Sequence, residues 1–291
     1  MRTEILRRSG FFTIAEAAEL AGTRCFPPES GSSIMPCAFR ADSRDVLPGD
    51  AFIAMPGERT DGHEFIVDAI ERGASVIILQ SDWYRENAAA LDAFGAVKIP
   101  VENSERSAAL LAKRWLDAVS PKVVGITGSV GKTTTRELLY GALKDSVRTH
   151  SAVKSYNTLI GCTMTILSMP SDTETLILEL GANHPGEIEE LVRNFPVTHG
   201  VVTDVTETHL EGLKSINGVL SAKMEICKSE GLEFLSYNND NDILSSAMRF
   251  ADTPARTVRV GFGKADVSIS DVRQNIDAGG VPLLSLSISC C

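Results

Sequence analysis

Two rhythms of apolar and polar positions alternate along this chain, and each change of rhythm marks the edge of an element. The run Ala51-Phe52-Ile53-Ala54-Met55 is continuously apolar, halts at Pro56-Gly57 and reads as a buried strand. Phe65, Ile66, Ala69 and Ile70 then recur at helical spacing until Gly73 closes the helix, and Ala74-Ser75-Val76-Ile77-Ile78-Leu79 restores the strand pattern. A second helical stretch and a strand at Val97–Val101 follow. Beyond them, Ala108, Leu111, Trp115 and Val119 line one face of a helix spanning Asn103 to Val119, stopped by Pro121. The alternation restarts at Val123-Val124-Gly125-Ile126-Thr127, a strand that enters a glycine-rich turn and then a helix carrying Leu138, Leu139, Ala142 and Leu143. Strands at Leu176–Leu180 and Gly200–Thr203 are separated by a helix from Gly186 to Arg193, and an alternating strand, Leu284-Ser285-Leu286-Ser287-Ile288, lies near residue 291.

Strand and helix in repeated alternation predict an α/β fold with mostly parallel sheets. Two domains are expected in 291 residues, a small α/β domain over 1–102 and a second α/β domain over 103–291. The chain shows no internal repeat and no low-complexity tract.

Composition narrows the function classes. Apolar residues at 43% and charged residues at 23% describe folded globular domains, and a net charge of -10 argues against a nucleic-acid partner. Met1 to Gly10 carries charges but no sustained apolar run, and no later segment reaches the length of a membrane span, so a cytoplasmic protein is expected. The six cysteines (Cys25, Cys37, Cys162, Cys227, Cys290, Cys291) contain no C-x-x-C pair and no histidine at zinc-ligand spacing. They are expected to be reduced structural thiols.

Four positions carry chemistry. Gly128-Ser129-Val130-Gly131-Lys132-Thr133 stands between a strand and a helix, where backbone amides, a helix N-terminus and a lysine together suit a phosphate. Thr133 is placed to ligate Mg²⁺. The general pattern G-x-x-x-x-G-K-[ST] requires glycine at 126, where this chain has Ile126. The plain alternative, a glycine turn that merely starts a helix, does not account for a lysine followed by Thr133, Thr134 and Thr135. Glu179 interrupts an apolar strand just before Gly181, which places its carboxylate at the carboxyl edge of the sheet, where open α/β sheets bind ligands. It is read as a metal ligand or as a carboxylate satisfied by a neighbouring backbone group or lysine. His209 lies in the loop after the next strand, as a ligand or as a surface hydrogen-bonding residue. Lys223 falls on the same helical stripe as Ile216, Val219, Leu220 and Cys227, so it either points inward or snorkels to water. As a free ammonium it cannot bind a metal ion.

Together these residues resemble the Mur ligase family, whose phosphate loop T-G-x-x-G-K-T is matched by Thr127 to Thr133. The resemblance continues in Leu178-Glu179-Leu180-Gly181-Ala182-Asn183-His184-Pro185-Gly186-Glu187-Ile188, in His209-Leu210-Glu211-Gly212 and in Ala222-Lys223-Met224-Glu225-Ile226. Upstream, Asp42-Ser43-Arg44 and Gly57-Glu58-Arg59-Thr60-Asp61-Gly62-His63-Glu64-Phe65 look like the family's UDP-sugar-binding domain. Coverage runs from about residue 40 to residue 275.

The resemblance implies an ATP-dependent amide ligase of peptidoglycan precursor synthesis, acting as a monomer on UDP-N-acetylmuramoyl-tripeptide and D-alanyl-D-alanine through an acyl phosphate. By it, residues 1–102 bind the UDP-sugar and 103–291 form the central ATP-binding domain. Thr127, Gly128, Ser129, Val130, Gly131, Lys132, Thr133 and Thr134 hold ATP, while Thr133, Glu179, His209 and Lys223 serve Mg²⁺. Lys132, Glu179, His209 and Lys223 form the catalytic set, with Lys223 carbamylated into a carboxylate-like anion. Ser43, Arg44 and Asn157 contact substrate.

Three departures qualify this. Thr158 and Leu159 follow Asn157 where the family often has a second asparagine and a polar residue, and Asp204 stands where asparagine is usual. The central domain is expected to be incomplete at its end and the third, Rossmann-like domain to be absent, which would leave the chain a weak ligase or an idle ATP- and UDP-sugar-binding remnant. A small-molecule kinase is disfavoured by the UDP-sugar-like region.

Overall fold

The computed structural model describes residues 13–27, 35–57, 60–152, 154–251, 253, 255–276 and 282–290. Glu58, Arg59 and Cys291 lie outside the described residues, as does the stretch Met1 to Gly10. In chain order the elements are α1 (Ile14–Leu20), β1 (Phe39–Arg40), β2 (Ala51–Ile53), α2 (Ile66–Glu71), β3 (Val76–Gln80), α3 (Ser81–Leu91), β4 (Val97–Val101), α4 (Ser104–Val119), β5 (Lys122–Thr127), α5 (Lys132–Leu143) and β6 (Thr149–Ser151). They continue as α6 (Leu159–Leu167), β7 (Thr175–Glu179), α7 (Glu187–Asn194), β8 (His199–Val202), α8 (Leu210–Leu213), α9 (Ile216–Met224), β9 (Phe234–Asn238), α10 (Asp242–Met248), β10 (Arg256–Gly261), β11 (Val267–Ile276) and β12 (Pro282–Cys290).

Compactness divides the chain into two units, Met1–Pro121 with Leu159–Thr173, and Lys122–Thr158 with Glu174–Cys291. Sequence rhythm suggests a break near residue 102, whereas packing breaks at Pro121 and returns α6 to the first unit. The reason is local: α4 buries Ala108, Leu111 and Trp115, and Trp115 Nε1 donates to the Met169 carbonyl at 3.0 Å, just past α6. Asn103 caps α4 by accepting from the Arg106 amide, and Ser120 ends it in the left-handed region before Pro121.

The first unit is built on a parallel sheet ordered β1-β2-β3-β4. Every residue of β2 and β4 is buried, the pattern of parallel strands covered on both faces. Phe52, Ile66, Ile77, Leu79 and Leu91 form its core, each contributing roughly 1.5–3 kcal/mol by leaving water.

The second unit carries a sheet ordered β12-β11-β10-β9-β8-β5-β7-β6, parallel throughout except where β12 runs antiparallel to β11. Leu286 and Ile288 of the alternating strand are exposed. The central strand β5 has β7 on one side and β8 on the other. After β5 the chain fills positions to one side and then crosses to the other, so the carboxyl ends of β5, β7 and β8 meet where the strand order reverses. In open α/β sheets this is the ligand position.

The helix read from the sequence forms as α5, and along it Leu138 is 70% exposed, Ala142 is exposed, and the buried residue is Arg136. The glycine loop aims the helix so that Arg136, one turn after Lys132, faces the sheet.

Candidate functional site

Thr127 ends β5 with its hydroxyl donating to the Leu180 carbonyl at 2.8 Å, which ties the carboxyl ends of β5 and β7. The next residue must be glycine. Gly128 has φ +146°, and a Cβ there would stand 2.1 Å from Thr203 Oγ1. Thr203, just beyond β8, clamps the loop by donating to the Val130 carbonyl at 2.6 Å. Ser129 Oγ donates to the Thr206 carbonyl at 3.1 Å and accepts from the Thr206 amide at 3.0 Å. The loop is thus braced before any ligand arrives.

The first hydrogen bond of α5 runs from the Thr135 amide to the Gly131 carbonyl at 2.9 Å. Consequently the amides of Val130, Gly131, Lys132, Thr133 and Thr134 meet no acceptor among the described residues. Such a row of N–H groups at a helix N-terminus is a site for an anion. Lys132 Nζ donates to the Gly128 carbonyl at 2.6 Å and so lies folded across the loop. Burial lowers its pKa, and the Glu179 carboxylate partly offsets that.

Glu179, at the end of β7, is 1% exposed. Its Oε2 accepts from Thr133 Oγ1 at 3.1 Å and from Ser155 Oγ at 2.8 Å, while Thr133 and Ser155 lie 3.2 Å apart. Its Oε1 is 3.2 Å from Arg136 Nη1. Both alternatives read from the sequence therefore have a physical basis here: the carboxylate is ion-paired, by an arginine rather than a lysine, and it also sits in a cluster of hard oxygen donors of the type Mg²⁺ takes. That cluster supplies one carboxylate, which suits a magnesium ion that shares the phosphates of a nucleotide.

Lys223 is 1% exposed, so it does not snorkel. Among the described residues its ammonium has no hydrogen bond or ion pair. Burial, then the Lys132 ammonium, depress its pKa from 10.5 to about 8 against the opposing pull of Glu187 and Glu225. Glu225 is held in place by accepting from the Gly186 amide at 2.7 Å and the Glu189 amide at 3.1 Å, which caps α7. Between about pH 8 and 10.5 the unfolded chain binds a proton at Lys223 that the folded chain does not, so stability rises with pH through that window. The total from this group is about 3 kcal/mol. Lys223→Met is expected to be more stable than wild type at pH 7 by a comparable amount and to lose that part of the slope, as urea unfolding in bicarbonate-free buffer would show. A variant less stable at pH 7 would contradict the burial argument.

The structure brings Thr133 and Glu179 together with Lys132 nearby, and it does not bring His209 into contact with them. His209 is exposed at the start of α8 with φ 53°, and among the described residues no group of three His, Cys, Asp or Glu could share a metal. Asn157 meets the carboxyl end of β7, where its carbonyl accepts from the Gly181 amide at 2.8 Å. A Cβ on Gly181 would fall 2.8 Å from Asn157 Cγ. Asp204 Oδ1 accepts from Asn241 Nδ2, the residue that caps α10. Sequence reasoning missed Arg136, Ser155 and Thr203. The dense polar run Thr133 to Glu137 was the available signal for the first.

In the first unit, Ser43 and Arg44 line a cavity of about 630 Å³ together with Asp42, Phe52, Phe65 and Asp68. Asp42 caps the turn Ser43–Asp45 and holds Arg44, Nη2 to Oδ2 at 2.6 Å. Half of its lining is polar or charged, with Phe52, Met55 and Phe65 supplying the apolar part. The described cysteines are all free thiols, and among the described residues no helix is long and apolar enough to cross a membrane.

Two family models match the chain, the Mur ligase middle domain over residues 126–285 and the Mur ligase family catalytic domain over residues 39–115. A UDP-N-acetylmuramoyl-tripeptide--D-alanyl-D-alanine ligase from Bacillus subtilis is 32% identical over 274 residues, covering 90% of this chain and 55% of the relative. One of the same name from Rickettsia prowazekii is 36% identical, covering 65% of this chain and 40% of the relative. The chain therefore spans about half the length of these curated relatives. Among solved structures, a MurF ligase from Thermotoga maritima in complex with ADP superposes with a TM-score of 0.69 at 30% identity, over 87% of this chain and 57% of that one. MurF from Acinetobacter baumannii shares the fold with a TM-score of 0.78 at 22% identity, over 97% of this chain and 61% of that one.

Proposed function

Because the chain belongs to the Mur ligase family, we propose that it serves ATP-dependent amide formation in peptidoglycan precursor synthesis, joining D-alanyl-D-alanine to UDP-N-acetylmuramoyl-tripeptide. The observation that carries this is the pairing of a row of unsatisfied amides at the start of α5 with the oxygen cluster of Thr133, Ser155 and Glu179. The loop from Thr127 to Thr134 and Lys132 hold the phosphates of ATP. Thr133 and Glu179 hold Mg²⁺, with His209 and Lys223 as further ligands once the nucleotide is bound. The ion supplies neutralisation of phosphate charge.

Lys223 suits carbamylation. Its amine is partly neutral near pH 8, adds to carbon dioxide and releases a proton, and the resulting anion removes the unpaired buried ammonium. The tripeptide carboxylate attacks the γ-phosphorus and ADP leaves. The D-alanyl-D-alanine amine then attacks the acyl carbon, phosphate departs and the nitrogen loses a proton. Positioning and charge neutralisation dominate both steps. The cavity at Ser43 and Arg44 receives the UDP-sugar, and Asn157 faces the substrate side.

A second reading, a module that binds ATP and UDP-sugar without forming the amide, is favoured by the exposed position of His209. Phosphate release from ATP separates the two. The ligase reading expects release only when UDP-N-acetylmuramoyl-tripeptide and D-alanyl-D-alanine are both present. Saturable binding of both nucleotides with no such dependence would favour the module.

A further inference from the structure

Arg136 stands outside every role assigned so far, yet it is among the largest fully buried side chains in the molecule, at 2% exposure. An arginine is costly to bury unless its donors are used. Here Nη1 donates to the Lys154 carbonyl at 2.5 Å and lies 3.2 Å from Glu179 Oε1, while Nη2 is paired with the Glu137 carboxylate. The other oxygen of Glu179 faces Thr133 and Ser155. The two carboxylate oxygens are thus divided, one toward the guanidinium and one toward the hydroxyl cluster.

We propose that Arg136 is a positioning residue, which orients Glu179 so that Oε2 is presented to the metal of a bound nucleotide. This deepens the proposed function and rests on its nucleotide-binding reading. The terminal torsion of a glutamate is broad, so the carboxylate plane is set by its partners rather than by the rotamer. The same guanidinium nitrogen donates to the Lys154 carbonyl and stands beside Oε1 as an ion pair, held by charge rather than by a hydrogen bond to that oxygen. In doing so it also fixes the segment that carries Ser155 beside Thr133. The carboxylates of Glu137 and Glu179 flank the guanidinium and compensate its charge, while Lys132 stands nearby as the positive charge for a phosphate. Partners that orient a metal ligand from behind typically govern affinity by roughly 10- to 100-fold.

The test is calorimetry of ADP binding to the full chain, without Mg²⁺ and across a Mg²⁺ titration. In Arg136→Met the Mg²⁺-free affinity should be unchanged, because Lys132 and the loop amides are intact. The gain conferred by Mg²⁺ should fall by roughly 10- to 100-fold. Arg136→Lys should recover part of it. If Arg136→Met does not fold, Arg136→Gln, which keeps a donor for the Lys154 carbonyl without the charge, carries the same comparison. A folded variant that keeps the whole Mg²⁺ gain, or one that loses both affinities in parallel, overturns the proposal. A wild-type chain that binds no ADP overturns the nucleotide reading itself and this proposal with it.

Discussion

Replacing Lys132 with alanine is expected to weaken the binding of magnesium nucleotide by roughly 10- to 150-fold, the equivalent of about 1.5–3 kcal/mol for a lost hydrogen bond to a charged group. The folded state should tolerate the change. Lys132 is partly buried and its Nζ rests on the Gly128 carbonyl, so its removal exposes loop backbone to water without opening a core cavity. Calorimetry and a thermal melt of the same variant check both halves. Wild-type affinity in a folded Lys132→Ala would remove the lysine from any contact with phosphate.

The largest effect on stability is expected at Trp115→Ala, about 3–5 kcal/mol for truncating a large buried aromatic. Trp115 is 2% exposed and donates to the Met169 carbonyl, so the variant loses packing and leaves a buried acceptor without its donor. It joins α4 to the segment after α6, the contact that returns residues 159–173 to the first unit. Urea unfolding should show the loss, and Trp115→Phe should recover the packing portion alone. A cost below about 1 kcal/mol would mean that the site collapses around the deletion or that the contact is marginal.

Periodicity made much of this architecture legible. The run at Val97–Val101 is a buried parallel strand, the stripe through Val219 and Lys223 does turn the lysine inward, and Gly186 does open a helix. These follow from local rules in which a residue and its near neighbours decide the outcome. What escaped depends on partners distant in sequence. Arg136 reads as an ordinary exposed helix residue until the glycine loop sets the rotation of α5 and turns it toward Glu179. Ser155 and Thr203 are unremarkable as letters, and each acts only because β7 or β8 ends beside the loop. The return of α6 to the first unit depends on a pairing of helices far apart in the chain.

Function follows the same division. A row of amides beside a lysine is local and readable, whereas the share proposed for His209 and Lys223 in holding a metal depends on residues far apart in sequence, one exposed at the start of α8 and one buried in α9.

The claim on which the rest depends is that backbone amides between Gly128 and Thr134 receive phosphate. Amide chemical shifts of a ¹⁵N-labelled chain titrated with ADP and Mg²⁺ test it most directly. The account predicts saturable shifts concentrated at Val130, Gly131, Lys132, Thr133 and Thr134, the amides that meet no acceptor among the described residues. A titration in which those resonances stay still, whether ADP binds elsewhere or not at all, would contradict it.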